Sequence, residues 1–287
     1  MTISATLRWA ADKFKKAKIT SPALDAEVIL SFTLNKPREF FYAHPEQQSS
    51  ARQFTKYKKL VAKRAKHYPV AYITNNKEFF GLNFYVDKNV LIPRPETEIL
   101  VEQTLNILQN NKNATIAEVG TGSGCVIISL ARNLQPNNPQ MQFLATDISK
   151  DALRVARRNA KQLGVKSRVK FFHGNLLEPI KNKKIDILIA NLPYLDNKMK
   201  NLLKTTDSKA LKYEPQIALN GGSDGLKFYR QLFQQIAQLT RQPRNILIEV
   251  DPTHPLAIKS FIKKILPQSK ITVFKDLAGK NRVISVT

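Results

Sequence analysis

With a single cysteine, Cys125, this 287-residue chain can form no internal disulfide and offers no multi-cysteine metal site. It also lacks any apolar stretch approaching the ~18 residues that span a bilayer. The opening residues, MTISATLRWAADKFKKAKIT, have no continuous apolar run of the kind a secretory signal carries. They are basic and poor in acid, as transit peptides are, but read better as an amphipathic first helix, which makes the cytoplasm the expected compartment. There is no internal repeat, no low-complexity segment and no block of five or six like charges.

What is present suits a folded protein of two domains. Hydrophobic residues at 43% supply a core, and charged residues at 24% are ordinary. The balance of charge is not ordinary: 46 Lys and Arg face 22 Asp and Glu, a net +24. Such an excess attracts polyanions, nucleic acid or ribonucleoprotein foremost. A Lys-rich composition accounts for it equally well, because the excess is spread along the chain.

The first seventy residues read as helices. Leu24, Val28, Ile29 and Phe32 recur at helical spacing, and Ser21-Pro22 suits an N-cap with proline in the first turn. A second basic helix runs through Phe54, Tyr57, Leu60 and Val61, with Tyr68-Pro69 expected to end it. Residues 78–92 are aromatic and β-branched with a turn signal at Gly81, which predicts a hairpin. From residue 114 the pattern alternates. Strand candidates at 115–119, 141–146, 169–172, 185–190 and 245–250 are separated by helical stretches, so the sheet is expected to be mainly parallel. Two late candidates, 271–274 and 283–286, lie too close for a parallel crossover and are expected to form an antiparallel hairpin at the sheet edge. The expected fold is therefore α/β, Rossmann-like with seven strands, divided into helical residues 1–70, a hairpin linker 71–98 and a catalytic domain 99–287.

The first strand of that sheet runs into Gly120-Thr121-Gly122-Ser123-Gly124, and a helix follows. Glycines there let the backbone turn sharply and approach a ligand. Twenty-three residues after Gly124 the next strand ends in Asp147, placed to accept from both hydroxyls of a ribose. A dinucleotide fingerprint needs glycine at the sixth position of the run, where Cys125 stands, and the lysine of a P-loop is missing. The GxGxG form preceded by Glu118 fits S-adenosylmethionine better, since that cofactor carries a cation and no pyrophosphate. Glu118 either favours the cation or serves the turn itself.

After the fourth strand comes Asn191-Leu192-Pro193-Tyr194. Standing alone, this is a turn punctuated by Asn and Pro. Opposite a cofactor turn it suits methylation of a planar nitrogen. The lone pair of such a nitrogen is delocalised, and two acceptors holding its two N–H bonds turn that pair toward a methyl group. The Asn191 side-chain oxygen and the Leu192 carbonyl supply those acceptors, and Tyr194 is expected to pack on the flat substrate. Alignment rather than a strong base then carries the rate.

GTGSG, Thr146-Asp147 and NLPY together resemble class I methyltransferases of planar nitrogen, whose signature is Asn-Pro-Pro-Tyr. The stretch EFFGLNFYVDKNVLIPRPETEILVE (78–102), YEPQIALNGGSDG (213–225) and DLAGKNRV (276–283) resemble the release-factor glutamine methyltransferases more selectively. That resemblance implies a helical N-terminal domain docking the protein substrate, a hairpin linker and a Rossmann-like domain. It further implies methylation of the N5 amide of the glutamine in the Gly-Gly-Gln motif of peptide chain release factors. By the same resemblance, Glu118, Gly120, Thr121, Gly122, Ser123, Gly124, Asp147, Asn175, Leu176 and Asn191 hold S-adenosylmethionine. Asn191, Leu192, Pro193 and Tyr194 hold the glutamine, with Asn191, Pro193 and Tyr194 as the catalytic set. Arg94, Pro95, Glu96 and Thr97 wall the pocket, and no metal is required. Leu192 stands where the family has its first proline, and Asn175 where it usually carries Asp near the adenine. Residues 249–254, EVDPTH, also depart from the pattern, and His254 reads as a helix-start residue rather than a base. The expected partners are release factors, with ribosome or RNA nearby through the basic surface; the expected state is a monomer without membrane contact. Alternatives are a ribosomal-protein glutamine methyltransferase, a nucleic-acid amino-group methyltransferase and a non-catalytic ribosome-binding module. A dehydrogenase is disfavoured by Cys125.

Overall fold

The computed structural model describes residues 1–109, 113–134, 140–196 and 207–287. Two compact units are present, the first division falling between Asn76 and Lys77.

The first unit holds Met1–Asn76 and the 3-10 segment Asp207–Tyr213. Its helices are α1 (Ile3–Lys16), α2 (Pro22–Leu34), α3 (Glu39–Ala43), α4 (Ala51–Arg64) and α5 (Val70–Thr74). Ile3, Thr6, Ala10 and Phe14 recur along one side of α1 and are its buried face. Thr2 caps that helix by accepting from the Ala5 N–H at 3.2 Å, and Ser50 with Gln53 forms a capping box on α4. Within α2 the helix is where the sequence places it, but its inward face is not. Leu24 and Phe32 are exposed, whereas Asp25, Ala26, Ile29, Leu30 and Thr33 are buried. This helix is apolar around most of its circumference, so spacing alone selects no side. The choice falls to a long-range ion pair, Asp25 to Arg64 of α4 at 2.7 Å. Ser21 serves the same group: its hydroxyl donates to Asp25 Oδ1 at 2.9 Å and makes no cap bond.

The second unit opens with the hairpin β1 (Lys77–Phe79) and β2 (Leu82–Phe84), paired antiparallel. Phe80 and Gly81 both have positive φ, the two-residue turn that matches the twist of a tight hairpin. There follow α6 (Glu98–Leu108), β3 (Thr115–Val119), α7 (Cys125–Asn133), β4 (Gln142–Asp147), α8 (Lys150–Gln162), β5 (Val169–His173), β6 (Ile187–Ala190), α9 (Lys227–Ala237), β7 (Asn245–Glu249), α10 (Pro255–Ile265), β8 (Ile271–Lys275) and β9 (Asn281–Val286). Every strand expected from residue 115 onward is present.

Strand order in the sheet is β5-β4-β3-β6-β7-β9-β8. The first five are parallel; β9 inserts antiparallel between β7 and the edge strand β8. Alternation along each strand builds two cores. Ile187 and Ile189 of β6 pack with α6 and α7, while Leu188 and Ala190 pack with α9 and α10. The chain winds outward from β3 to β5 and then returns to β6 on the other side of β3. That reversal opens a crevice beyond the strand ends, where ligands bind in sheets of this class. Among the described residues, no helix is long and apolar enough to cross a membrane.

Candidate active site

The glycine turn follows β3, Asp147 ends β4 and Asn191 follows β6, so sheet order alone brings all three to one crevice. They line a cavity of about 300 Å3 together with Arg94, Thr97, Glu118, Asn175, Leu176 and Pro193. Gly122 has φ +54, and a Cβ built there would meet nothing within 4 Å. The turn therefore presents bare backbone to open space, a cradle that fits a ligand of nucleoside size. Asp147 Oδ2 accepts from the Gly122 N–H and Oδ1 from the Ser149 N–H, each at 2.8 Å. Each oxygen keeps a further acceptor site, as a ribose needs. Burial pushes this carboxyl upward, and its backbone hydrogen bonds oppose that.

Glu118 is buried at the end of β3. Its Oε2 accepts from the Thr121 hydroxyl at 2.5 Å and from the Ile127 N–H at 3.3 Å, tying the glycine turn to α7. Burial raises it from 4.5 to about 8, despite those two bonds. Glu249, the last residue of β7, is raised by burial to about 7. Both carboxyls thus hold a proton more tightly when folded. The stability they contribute is fully present below about 4.5 and is lost as pH rises through the folded values. Urea midpoints measured from pH 5 to 9 are expected to fall with pH, and Glu118→Gln should flatten part of that slope. A mutant slope equal to the parent's would show that Glu118 does not titrate in this way.

Asn191 is held at two points. Its Nδ2 donates to Thr97 Oγ1 at 3.1 Å and to Glu249 Oε2 at 2.9 Å. The pairing follows from register: Ala190 of β6 lies opposite Ile248 of β7, so one step on Asn191 meets Glu249. With both amide N–H bonds taken inside the protein, the oxygen is left for the cavity.

Extended backbone past β6 continues the strand's alternation. It sends Leu192 and Tyr194 toward the α9–α10 core; Leu192 also reaches the cavity wall, whereas Tyr194 packs on that core outside the cavity lining. Burial raises its hydroxyl well above the usual range. In the 3-10 turn Pro95–Thr97, three residues complete one turn, so Arg94 and Thr97 share the inward side. Pro95 and Glu96 turn away, and Glu96 lies 3.7 Å from Arg282. Gly124 begins α7 rather than lining the cavity. His254 occupies the N-cap position of α10, as a helix-start residue should.

Several residues that position the site were given no role by the sequence. Glu214 is buried and accepts from the Ile92 N–H at 3.0 Å and from Arg94 Nη2 at 2.6 Å, so the YEP and IPRP segments form one clamp. Asn159 of α8 is fully buried. It donates from Nδ2 to the Tyr85 and Ser123 carbonyls and accepts the Tyr85 N–H, joining the hairpin's end to the glycine turn. A polar residue on the apolar face of an amphipathic helix was the one visible trace of it. Tyr229 lies 2.6 Å from the Glu249 carbonyl, to which its hydroxyl donates, and 3.2 Å from the Leu192 carbonyl.

Comparison with known proteins decides the family. Residues 5–74 match a model described as the PrmC N-terminal domain, and residues 110–249 match one described as a methyltransferase domain. A release factor glutamine methyltransferase of Moorella thermoacetica is 34% identical over 282 residues, covering 98% of this chain and 97% of that protein. The chain belongs to the release factor glutamine methyltransferase family. A bifunctional methyltransferase of Rickettsia conorii is 33% identical over 99% of this chain, which spans 57% of that longer protein. Among solved structures, the hMettl16 catalytic domain in complex with a MAT2A 3'UTR hairpin superposes with a TM-score of 0.58. It is 16% identical, covers 82% of this chain and 81% of that one, and shares the fold.

Against the family's pattern, Leu192 is a change of side chain that leaves its carbonyl in place. The Leu192 side chain is buried in the α9–α10 core, and Pro193 holds Leu192 extended. Asn175 lines the cavity, with its Nδ2 3.2 Å from Glu178 Oε1. That bond leaves its amide oxygen available.

Proposed function

We propose that this protein methylates the side-chain amide nitrogen (N5) of the glutamine in the Gly-Gly-Gln motif of peptide chain release factors. S-adenosylmethionine is the methyl donor in this reading, and the helical residues 1–70 dock the protein substrate. The observation that carries the proposal is the Asn191 amide, held by both of its N–H bonds so that its oxygen faces the cavity beside the glycine turn.

Asp147 and the backbone of Gly120–Ser123 hold the ribose, and Asn175 and Leu176 lie along the base. When bound, S-adenosylmethionine supplies an electrophilic methyl group. Asn191 Oδ1 and the Leu192 carbonyl accept the two N–H bonds of the substrate amide. Holding both fixes the plane of the amide and exposes its nitrogen face to the methyl donor, so most of the acceleration is alignment. One N–H proton leaves to solvent once the nitrogen is methylated.

Methyl transfer from labelled S-adenosylmethionine to purified release factor tests this, with a Gln→Ala change in the Gly-Gly-Gln motif as control. Labelling that vanishes in the control is expected. Labelling of ribosomal protein or RNA instead would keep the chemistry and overturn the substrate. Asp147→Ala is expected to weaken cofactor binding at least tenfold in a calorimetric titration, the loss of charge-assisted bonds to two hydroxyls. Unchanged affinity would remove Asp147 from the ribose site.

A further inference from the structure

We propose that Glu249 and Thr97 act as a positioning pair that keeps the Asn191 amide oxygen turned toward the cavity, and that protonation of Glu249 releases this control. The inference rests on the glutamine-methylation reading for its consequence in turnover, but not for the geometry itself.

A side-chain amide has two ends of nearly equal size, so sterics barely distinguish its two orientations. Hydrogen bonding decides between them. In the observed orientation both N–H bonds end on acceptors, Glu249 Oε2 at 2.9 Å and Thr97 Oγ1 at 3.1 Å. Thr97 Oγ1 accepts from Asn191, and the Thr97 hydroxyl is near enough to Glu249 to favour its ionised form. Flipping the amide would set Oδ1 against an ionised carboxylate and aim two donors at a substrate that itself presents N–H bonds. Neither the cavity nor the substrate would tolerate that arrangement. A protonated Glu249 can donate to Oδ1, and the Thr97 hydroxyl is then free to turn, so the preference is lost.

The surroundings of Glu249 place this switch in a measurable range. Burial is the largest influence and raises the group to about 7; Thr97, Arg282 and Arg94 oppose it, and Glu96 adds to it. Cys125, Tyr194 and Tyr229 also feel its charge. All three are pushed upward chiefly by burial and stay neutral across the working range. Arg94 is fixed by Glu214 at 2.6 Å and Arg282 by Asp276 at 2.9 Å, so both cations keep their places as Glu249 titrates.

Turnover needs ionised Glu249, so kcat rises with pH through about 7, roughly tenfold between pH 6 and pH 8 for a single group titrating there. Glu249→Gln is expected to lower kcat and flatten that rise, with the Kd for S-adenosylmethionine and the KM for release factor within about twofold of the parent. Glutamine preserves the volume but can face Asn191 with either end, so it imposes no orientation. Thr97→Val should lower kcat likewise, and Thr97→Ser should restore it.

An independent reading comes from the side-chain amide resonance of Asn191 in 15N-labelled, cofactor-free protein, assigned with Asn191→Asp. It is expected to titrate near pH 7 in the parent and to stop titrating in Glu249→Gln. A resonance that ignores pH in the parent, or a Glu249→Gln enzyme with the parent's kcat and pH slope, would overturn the proposal. If release factor is not methylated while the resonance titrates, the substrate reading fails and the positioning pair stands. If release factor is methylated while the resonance is invariant, the pair alone fails. Should Glu249→Gln not fold, the Thr97 variants and the parent resonance carry the test.

Discussion

Replacing Asn191 with alanine is expected to lower kcat for glutamine methylation about 100-fold while leaving cofactor affinity within about twofold. The size follows from losing one preorganised polar contact that is fully made only when the amide is aligned for transfer. Cofactor affinity should persist because the glycine turn and Asp147 do not depend on the Asn191 side chain: Asp147 is held by the Gly122 and Ser149 N–H groups. The truncation also leaves Glu249 and Thr97 without the amide they now share. Some loss of stability is therefore expected, and turnover must be compared at a temperature where both proteins are folded. Single-turnover methyl transfer at saturating cofactor, beside a calorimetric Kd, separates the two effects. An Asn191→Ala enzyme with the parent's kcat would mean that the oxygen facing the cavity does not touch the reacting amide.

Gly221→Ala is expected to damage both folding and turnover, although residue 221 touches no part of the cofactor turn. A Cβ there would lie 2.7 Å from the Pro193 carbonyl oxygen, 2.7 Å from Tyr194 Cα and 2.9 Å from Gly225 Cα. All three are backbone atoms, so no rotamer change relieves the clash. The Gly221 N–H also donates to the Leu195 carbonyl at 2.9 Å, and the Leu195 N–H to the Leu219 carbonyl at 2.9 Å. Relief must come from parting these two segments, which shifts the backbone that carries Asn191 and Leu192. Overpacking of this kind costs about 1–3 kcal/mol, read as a lower urea midpoint, and kcat should fall at least tenfold beyond it. Gly279→Ala is the contrasting control. Gly279 has positive φ, +76, which Gly221 does not, and a Cβ there would meet nothing within 4 Å. It should cost only about 1 kcal/mol of backbone strain and leave turnover unchanged. A Gly221→Ala protein that lost no more than Gly279→Ala would show that the close approach does not govern residue 221.

Much of the molecule was legible before any coordinates because its signals are local. The period-2 strands, the GTGSG turn, Asp147 at a strand end and NLPY after another each lie within a few residues of chain. Their convergence followed from strand order, which the alternation of strands and helices predicts for a parallel sheet. Local signals failed where one segment had two acceptable arrangements. Helix α2 is apolar on nearly every side, and Arg64, 39 residues onward, chose Asp25 as the buried residue. The packing of Tyr194 on the α9–α10 core is likewise set by the alternation that β6 and Pro193 impose, not by a local signal.

By itself, then, the sequence determined the secondary structure, the glycine turn and the residue types able to align a planar nitrogen, since each is set by backbone preference and side-chain chemistry within one short segment. Only the tertiary structure decided which end of the Asn191 amide meets the substrate. That choice belongs to Glu249 and Thr97, 58 residues after it and 94 before it. Hydrogen-bond partners across so long a separation are fixed by sheet register and burial, and neither is written in the spacing of residues along the chain.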